Sequence, residues 1–594
     1  MANRGFGMRM LRLCCLGIGV LLAGRAWADD CHLSDYGSLP VAMVGSRATT
    51  MVKINGTDTR FMLDTGAFFN FMSRANAASL GLKLEPAPFG YRMGGVGGET
   101  SIQQAHVKEF GILGTTLKNV DFIVGGTDVG DALLGANLLD FADLEIDLAH
   151  GKVTLFKAEH CEKASLAYWA KDGKYNVADL EPAEREYDRR SFLTVTINGR
   201  KVRAVLDSGA AATVLGRDAA KRAGIDVKAL GLQAGTSTFG IGAKPVRTWT
   251  ANIDTFSVGS ETIQHSQMLV LDGNFGDKTD MLLGVDFLLA HHMFIANSKK
   301  KAYFTYNGGR VFSFATAADD DTKPAGAMAE ENGVASQSAS DHALQGQAHL
   351  SRGEAKAAVA ELDQAIRMAP DQAAYYAARA RAHMAARQPE AALADLDKAL
   401  SLDPKNLDAL QMRAERRYAS NDLAGAASDA AAAAALAPAG SARARSIAAL
   451  YIRLDQPAVA LPLLDDWIRL HDNDAMLGSA LNERCWARAL SNQMLDDALK
   501  DCRKAIKRDG ADPAYLDSLG LVQLRLGHYP ESIKAYEQAV ALGPGSAWSR
   551  YGLGLAKIRS GQTDAGNADL AAARALDPQI ERHAGKFALT GPQP

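Results

Sequence analysis

A chain of 594 residues is too long for one hydrophobic core and, at ordinary domain size, divides into roughly three to five structural units. Its composition, 47% apolar and 22% charged, is that of folded globular protein and excludes wholesale disorder. Lysine plus arginine (65) nearly balances aspartate plus glutamate (68), so no broad basic field is available to hold nucleic acid or an anionic membrane, and neither partner is expected.

Arg4, Arg9 and Arg12 are followed by an apolar stretch from Leu13 to Gly24 and then by Ala26-Trp27-Ala28, a small-x-small cleavage pattern before Asp29. Residues 1–28 are therefore expected to be a secretory signal peptide. About 12 apolar residues fall short of the roughly 20 that span a bilayer. The mature chain is expected to have no membrane span and to reside in the bacterial periplasm or outside the cell. Cys14 and Cys15 leave with the signal peptide. Of the remaining four cysteines, Cys31 and Cys161 bracket the first β-rich unit, and repeat phase sets Cys485 and Cys502 facing each other across one helix pair. An even count in an exported chain predicts two disulfides, with buried free thiols as the alternative. No Cys/His cluster has metal-ligand spacing, so neither metal nor cofactor is expected, and His291-His292 reads as surface or core histidine.

Residues 52–67 read VKINGTDTRFMLDTGA and residues 195–210 read VTINGRKVRAVLDSGA, with nine of sixteen positions identical. Asn-Gly between β-branched and apolar residues predicts a two-residue hairpin turn, so each copy is a hairpin whose second strand delivers an aspartate, Asp64 or Asp207. A short helix ending at glycine comes after each hairpin, at Arg74 to Gly81 and Arg217 to Gly224. Gly95-Val96-Gly97 then answers to Gly240-Ile241-Gly242, and Leu133-Leu134-Gly135 to Leu282-Leu283-Gly284. Two diverged copies of one β-rich domain are expected over 36–160 and 191–315, joined by a charged, aperiodic linker at 161–190.

Composition shifts after Phe314, and 316–338, with its Asp319-Asp320-Asp321 run, reads as a flexible linker that would let the β-rich part fold without the C-terminal half of the chain. Pro370, Pro404 and Pro438 recur every 34 residues, Asp472 takes the next place, Gly510 comes four residues late, and Pro544 and Pro578 resume the period. That period is the tetratricopeptide signature and predicts about seven helix pairs over 339–580, with 581–594 as a tail. Leu519-Gly520, Gly527, Tyr536 and Ala539 mark the close approach, the turn and the packed face of one pair.

One Asp-[Thr/Ser]-Gly triplet is weak evidence. Two in a duplicated context, each at the end of an apolar strand where a carboxylate is costly to bury, are specific. Residues 40–160 and 190–310 resemble the retropepsin-like aspartic peptidases, in which such a strand is succeeded by a glycine-bearing flap and a hydrophobic-hydrophobic-Gly strand. The resemblance implies two all-β lobes. Their place on one chain, across a linker of roughly 30 residues, is expected to pair them with each other instead of each with its twin in a homodimer, and the 34-residue period implies an all-α repeat superhelix after them. The resemblance also implies Asp64 and Asp207 as a proton-sharing pair activating water against a peptide bond. Thr65 and Ser208 would bond across the lobe interface, and Gly66 and Gly209 would admit backbone N–H groups to the carboxylates. Gly94 to Gly98, with Gly95, Val96 and Gly97, is one flap candidate, and Phe239 to Ala243, with Gly240, Ile241 and Gly242, is the other. The reading is an exported endopeptidase whose arm recruits a protein substrate or partner along the repeat groove. The alternative is a catalytically inactive scaffold of the cell envelope that holds peptides or proteins.

Overall fold

The computed structural model describes residues 31–312 and 337–590, apart from 90–92, 96, 140, 184, 186–187, 232–235, 239, 241–243 and 277. The expected signal peptide, most of the 316–338 join, and Val96, Ile241 and Gly242 lie outside the described residues.

Both duplicated hairpins form at the predicted turns. Asn55 and Gly56, like Asn198 and Gly199, take the positive φ that a two-residue loop demands, with Ile54 opposite Thr57 and Ile197 opposite Arg200. In the first lobe the strand Arg47–Ile54 also pairs with Ile102–Ile112, which curls its eight-stranded sheet back on itself. In the second, Phe192–Ile197 pairs with Val246–Val258 in the same way. Phe61, Phe110 and Phe122 fill the first lobe in edge-on or tilted contacts.

The lobes are joined by one sheet. The strands His32–Pro40, Lys152–Glu159 and Asp143–Asp147 of the first lobe continue into His291–Ala296, Lys301–Tyr306 and Asn176–Glu181. At the seam Glu145 lies opposite Phe294, and Leu144 and Ile146 lie opposite Ile295 and Met293. Buried side chains of both lobes form one apolar cluster.

The segment 161–190 departs from its reading as a loose linker. It supplies Asn176–Glu181, which pairs with strands on both sides, and buries Leu166 and Ala167. Trp169 stacks on His292, with ring centroids 4.0 Å apart, while Glu145 accepts from Tyr168 Oη at 2.5 Å and faces His292 Nε2 at 2.9 Å. His292 is thus a core side chain wedged between lobe and strap. A disulfide from Cys31 to Cys161, with Cα atoms 4.4 Å apart, ties the two ends of the first lobe.

Among the described residues seven helix pairs run from Ala339–Ser351 to Thr563–Leu576. A Cβ on Gly520 would lie 2.8 Å from the Tyr536 ring, so glycine permits the predicted close approach. Successive pairs are stitched by arginines: Arg379 binds Asp395 of its own pair and Asp363 of the pair before, and Arg413 repeats this with Asp429 and Asp397. Residues 581–589, read as part of a tail, instead continue the helix Ile580–Gly585 and cap the array, where Ile580, Ala584 and Leu589 are buried. No helix among the described residues is long and apolar enough to cross a membrane.

The arm is not detached from the lobes. Ala348 joins the lobes' apolar cluster, Arg352 Nη2 donates to Leu289 O at 2.6 Å, and Leu344 packs where a Cβ on Gly151 would stand. Apolar burial, and lobe carbonyls that accept from the arm, thus override the independence that linker composition suggests.

Cys485 and Cys502 are bonded across one helix pair. Closing a loop of 17 residues restricts the unfolded chain by about 3 kcal/mol. The Cys485→Ser/Cys502→Ser protein should lose stability of that order in chemical denaturation of the array, and an unchanged midpoint would contradict it.

Candidate active site

Asp64 ends the strand Thr57–Asp64, and Asp207 comes directly after the strand Arg200–Leu206. In each lobe the Leu-Leu-Gly segment inserts beside that strand in parallel, with Gly135 opposite Asp64 and Leu283 opposite Leu206. A Cβ on Gly135 would lie 2.5 Å from the carbonyl carbon of Phe69, and one on Gly284 2.5 Å from that of Ala212. Glycine is therefore required for the aspartate loop to fold over its neighbour.

The two loops meet reciprocally. Thr65 Oγ1 donates to the Leu206 carbonyl at 2.8 Å and accepts from the Ser208 amide at 3.0 Å. Ser208 Oγ donates to the Leu63 carbonyl at 2.9 Å and accepts from the Thr65 amide at 3.1 Å. All four bonds are buried and all run between lobes of one chain. They bring Gly66 so close to Asp207 that a Cβ there would lie 2.3 Å from the Asp207 carboxyl carbon, and Gly209 stands likewise to Asp64.

Both carboxyls are 8% exposed and both titrate above the ordinary aspartate value. Burial raises Asp64 well above that value and the neighbouring Asp207 charge raises it further, against weaker support from the Ala67 and Gly66 amides. Burial raises Asp207 too, but its Oδ1 accepts from Gly209 N at 2.9 Å and Ala210 N at 3.0 Å, and the Arg190 charge favours its ionised form. The pair therefore shares a proton, and the amide bonds and the Arg190 charge favour Asp207 as its ionised member. Arg190 lies 3.7 Å over the Phe68 ring of the first lobe and is bound to Asp188 at 2.9 and 2.8 Å.

Behind the loops, Asn70 Oδ1 accepts from Gly135 N at 3.1 Å in the first lobe. At the matching place in the second lobe, Thr213 Oγ1 accepts from Gly284 N at 3.0 Å and donates to Asp286 Oδ1 at 2.6 Å. Sequence reading missed Asn70, Thr213, Asp286 and Arg190. Asn70 and Thr213 share the 143-residue offset of the aspartates, which is the signal that would have found them.

Gly95 and Gly97 lie in a hairpin of Met93–Gly95 against Gly98–Thr100, with Gly95 opposite Gly98. Its Gly97 carbonyl accepts from Lys244 N of the second lobe at 3.2 Å. In the second lobe, Gly240 lies between Thr236–Thr238 and Val246–Val258, which pair as a hairpin. A cavity of about 600 Å³ lined by Pro86, Phe89 and Met93 adjoins the first hairpin, not the aspartates.

Thr65→Val deletes two buried bonds and should cost about 2–4 kcal/mol in urea unfolding, whereas Thr65→Ser, which keeps the hydroxyl, should cost much less. Equal costs would mean the hydroxyl is not what joins the loops. Burial raises Asp286 to about 6, so its favourable contribution is complete below the unfolded value and is lost as pH rises through 6. Asp286→Asn should therefore gain on the wild type between pH 4 and 7 by about 1–3 kcal/mol. A difference in unfolding free energy that does not vary with pH would show that Asp286 does not titrate in this range.

The aspartyl protease family model matches residues 50–138 and 193–287, and a tetratricopeptide repeat model matches 373–406. No curated protein matches the chain. Solved structures similar to the helical part include YrrB, a TPR protein with an unusual peptide-binding site, at 21% identity and TM-score 0.28, over 32% of this chain and 95% of that one. A tetratricopeptide repeat protein from Parabacteroides merdae is similar at 16% identity and TM-score 0.32, over 43% and 99% of the two chains. PilF of Pseudomonas aeruginosa is similar at 20% identity and TM-score 0.29, over 36% and 95%. The chain is thus built of two aspartyl-protease-like lobes in tandem and a tetratricopeptide superhelix.

Proposed function

We propose that the protein is an aspartic endopeptidase, exported to the bacterial periplasm or beyond, in which Asp64 and Asp207 of one chain act together on a peptide bond. The observation that carries this reading is the pair of buried carboxyls held together by the crossed Thr65 and Ser208 hydroxyls. Two carboxyls so close cannot both ionise readily, so one proton is shared.

In this reading Asp207 takes a proton from water as the water attacks the scissile carbonyl, while Asp64 donates its proton to the forming oxyanion, giving a gem-diol. As the C–N bond then breaks, Asp207 gives its proton to the leaving nitrogen and a diol hydroxyl returns one to Asp64. No covalent intermediate is required. The repeat array, of a kind that binds proteins, serves as the arm that brings substrate or partner to the lobes.

Asp64→Asn and Asp207→Asn should each lower kcat on a cleavable peptide by at least about a hundredfold without unfolding the chain. A mixture of the two inactive proteins should recover nothing, since each site needs both carboxyls of one chain. Activity should fall as pH rises through the elevated Asp64 value, where the acid is lost, and again at low pH as Asp207 is protonated. Substantial cleavage by either single variant would overturn the assignment, and peptide binding without cleavage by the wild type would favour a holding scaffold.

A further inference from the structure

Among the described residues, the hairpin of Met93–Gly95 and Gly98–Thr100 forms a two-stranded sheet of its own and pairs with neither lobe's sheet. An isolated pair of short strands is marginal in water and needs packing from elsewhere. Its stem rests on the turn at Gly126, where a Cβ would meet Met93 Cε and Thr100 Cγ2, each at 3.4 Å. That turn is held from outside the lobe.

The holder is the arm. Six residues join the helix ending at Leu470 to the one starting at Leu477, where four join Met368 to Ala373 and Leu402 to Leu407. This wider connection lies where the 34-residue period slips by four. Within it Asp474 Oδ2 accepts from Asp128 N at 2.7 Å, and Ala475 N donates to Thr127 Oγ1 at 3.1 Å. His471 Nε2 is 3.2 Å from Asp128 Oδ2, its Nδ1 is 2.6 Å from Trp467 O, and its ring stacks on Trp467 at 4.0 Å. Asn473 Nδ2 reaches the hairpin itself, donating to Thr100 Oγ1 at 3.0 Å, and Arg74 pairs with Asp472 at 2.6 Å. Asp474 is held in turn by Met476 N on its Oδ1 at 2.7 Å and by Arg508 Nη2 on its carbonyl at 2.6 Å. Thr127, His471 and Asp474 are all buried. A set of polar groups this enclosed and this densely hydrogen-bonded is costly to break and fixes one geometry.

From these contacts we infer that the arm completes the catalytic cleft: Asp474 and Asn473 are positioning residues that buttress the first lobe's flap through Thr127, Asp128 and Thr100. The flap is then spanned at both ends, its stem on the arm and its tip on Lys244 of the second lobe. Loosening the stem should weaken the hold on substrate, and so raise KM, more than it alters the aspartates' own chemistry. This rests on the peptidase reading only for its kinetic part.

The test is amide hydrogen exchange of the full chain over 93–100 and 126–128, beside peptide kinetics. Asp474→Ala is expected to speed exchange in both segments about tenfold, leave Arg200–Leu206 protected, and raise KM about tenfold with a smaller change in kcat. Asp474→Asn, which keeps one acceptor, should fall between it and wild type. Asn473→Ala, a milder change, should act on 93–100 alone. Unchanged exchange at 93–100 in both alanine variants would overturn the inference even if the enzyme is active. Faster exchange there in a protein whose wild type cleaves nothing would sink the peptidase reading and leave the buttress standing.

Discussion

Two hydroxyl groups, on Thr65 and Ser208, decide what the rest of the structure can do. Each sits one residue past an aspartate, reaches into the opposite lobe, and there both donates to a carbonyl and accepts from an amide. These are buried bonds between strands that share no sheet at that point, so losing one leaves unpaired polar groups in an apolar interface. The carboxyls beside them have no independent choice of position. Burial raises both pKa values, the neighbouring Asp207 charge raises that of Asp64 further, and their inequality arises from the amide support and the Arg190 charge on the Asp207 side.

Everything larger in the fold serves to keep those loops opposed. The shared sheet, with Glu145 against Phe294 at its seam, fixes the lobes at their foot. The strap of 161–190 closes around it by stacking Trp169 on His292. The arm adds a third support, packing its first helix under the lobes and its widened connection at 471–476 against the first lobe at Thr127 and Asp128. Lobes and arm are one mechanical unit, so the array and the aspartate loops are physically coupled.

Much of the site was legible because duplication repeats local rules. The Asn-Gly turns, the aspartates at strand ends and the Leu-Leu-Gly strands each depend on nearby residues, and all took their expected places. What escaped notice depends on distant partners. Asn70 and Thr213 play one part with different chemistry, so a search for identities passes over them. Asn176–Glu181 looks like linker because its pairing partners lie more than 100 residues on, at Lys301–Tyr306, as well as nearby at Phe192 and Leu193. Asp474 and His471 resemble any polar turn between repeats, and only the slip in period hinted that this turn has another task. The C-terminal cap was hidden by Pro578, which ends the repeat pattern but not the packing of Ile580 and Ala584.

The central claim, that the crossed hydroxyls force two carboxyls to share one proton unequally, is most directly tested by carbon-13 NMR titration of selectively labelled aspartate carboxyls. Signals are assigned with the Asp64→Asn and Asp207→Asn proteins. The account predicts two coupled transitions, Asp64 the higher and both above the ordinary aspartate value, with Asp64 titrating lower once Asp207 is replaced by asparagine. Two independent transitions, each at the ordinary aspartate value and indifferent to loss of the other carboxyl, would contradict it.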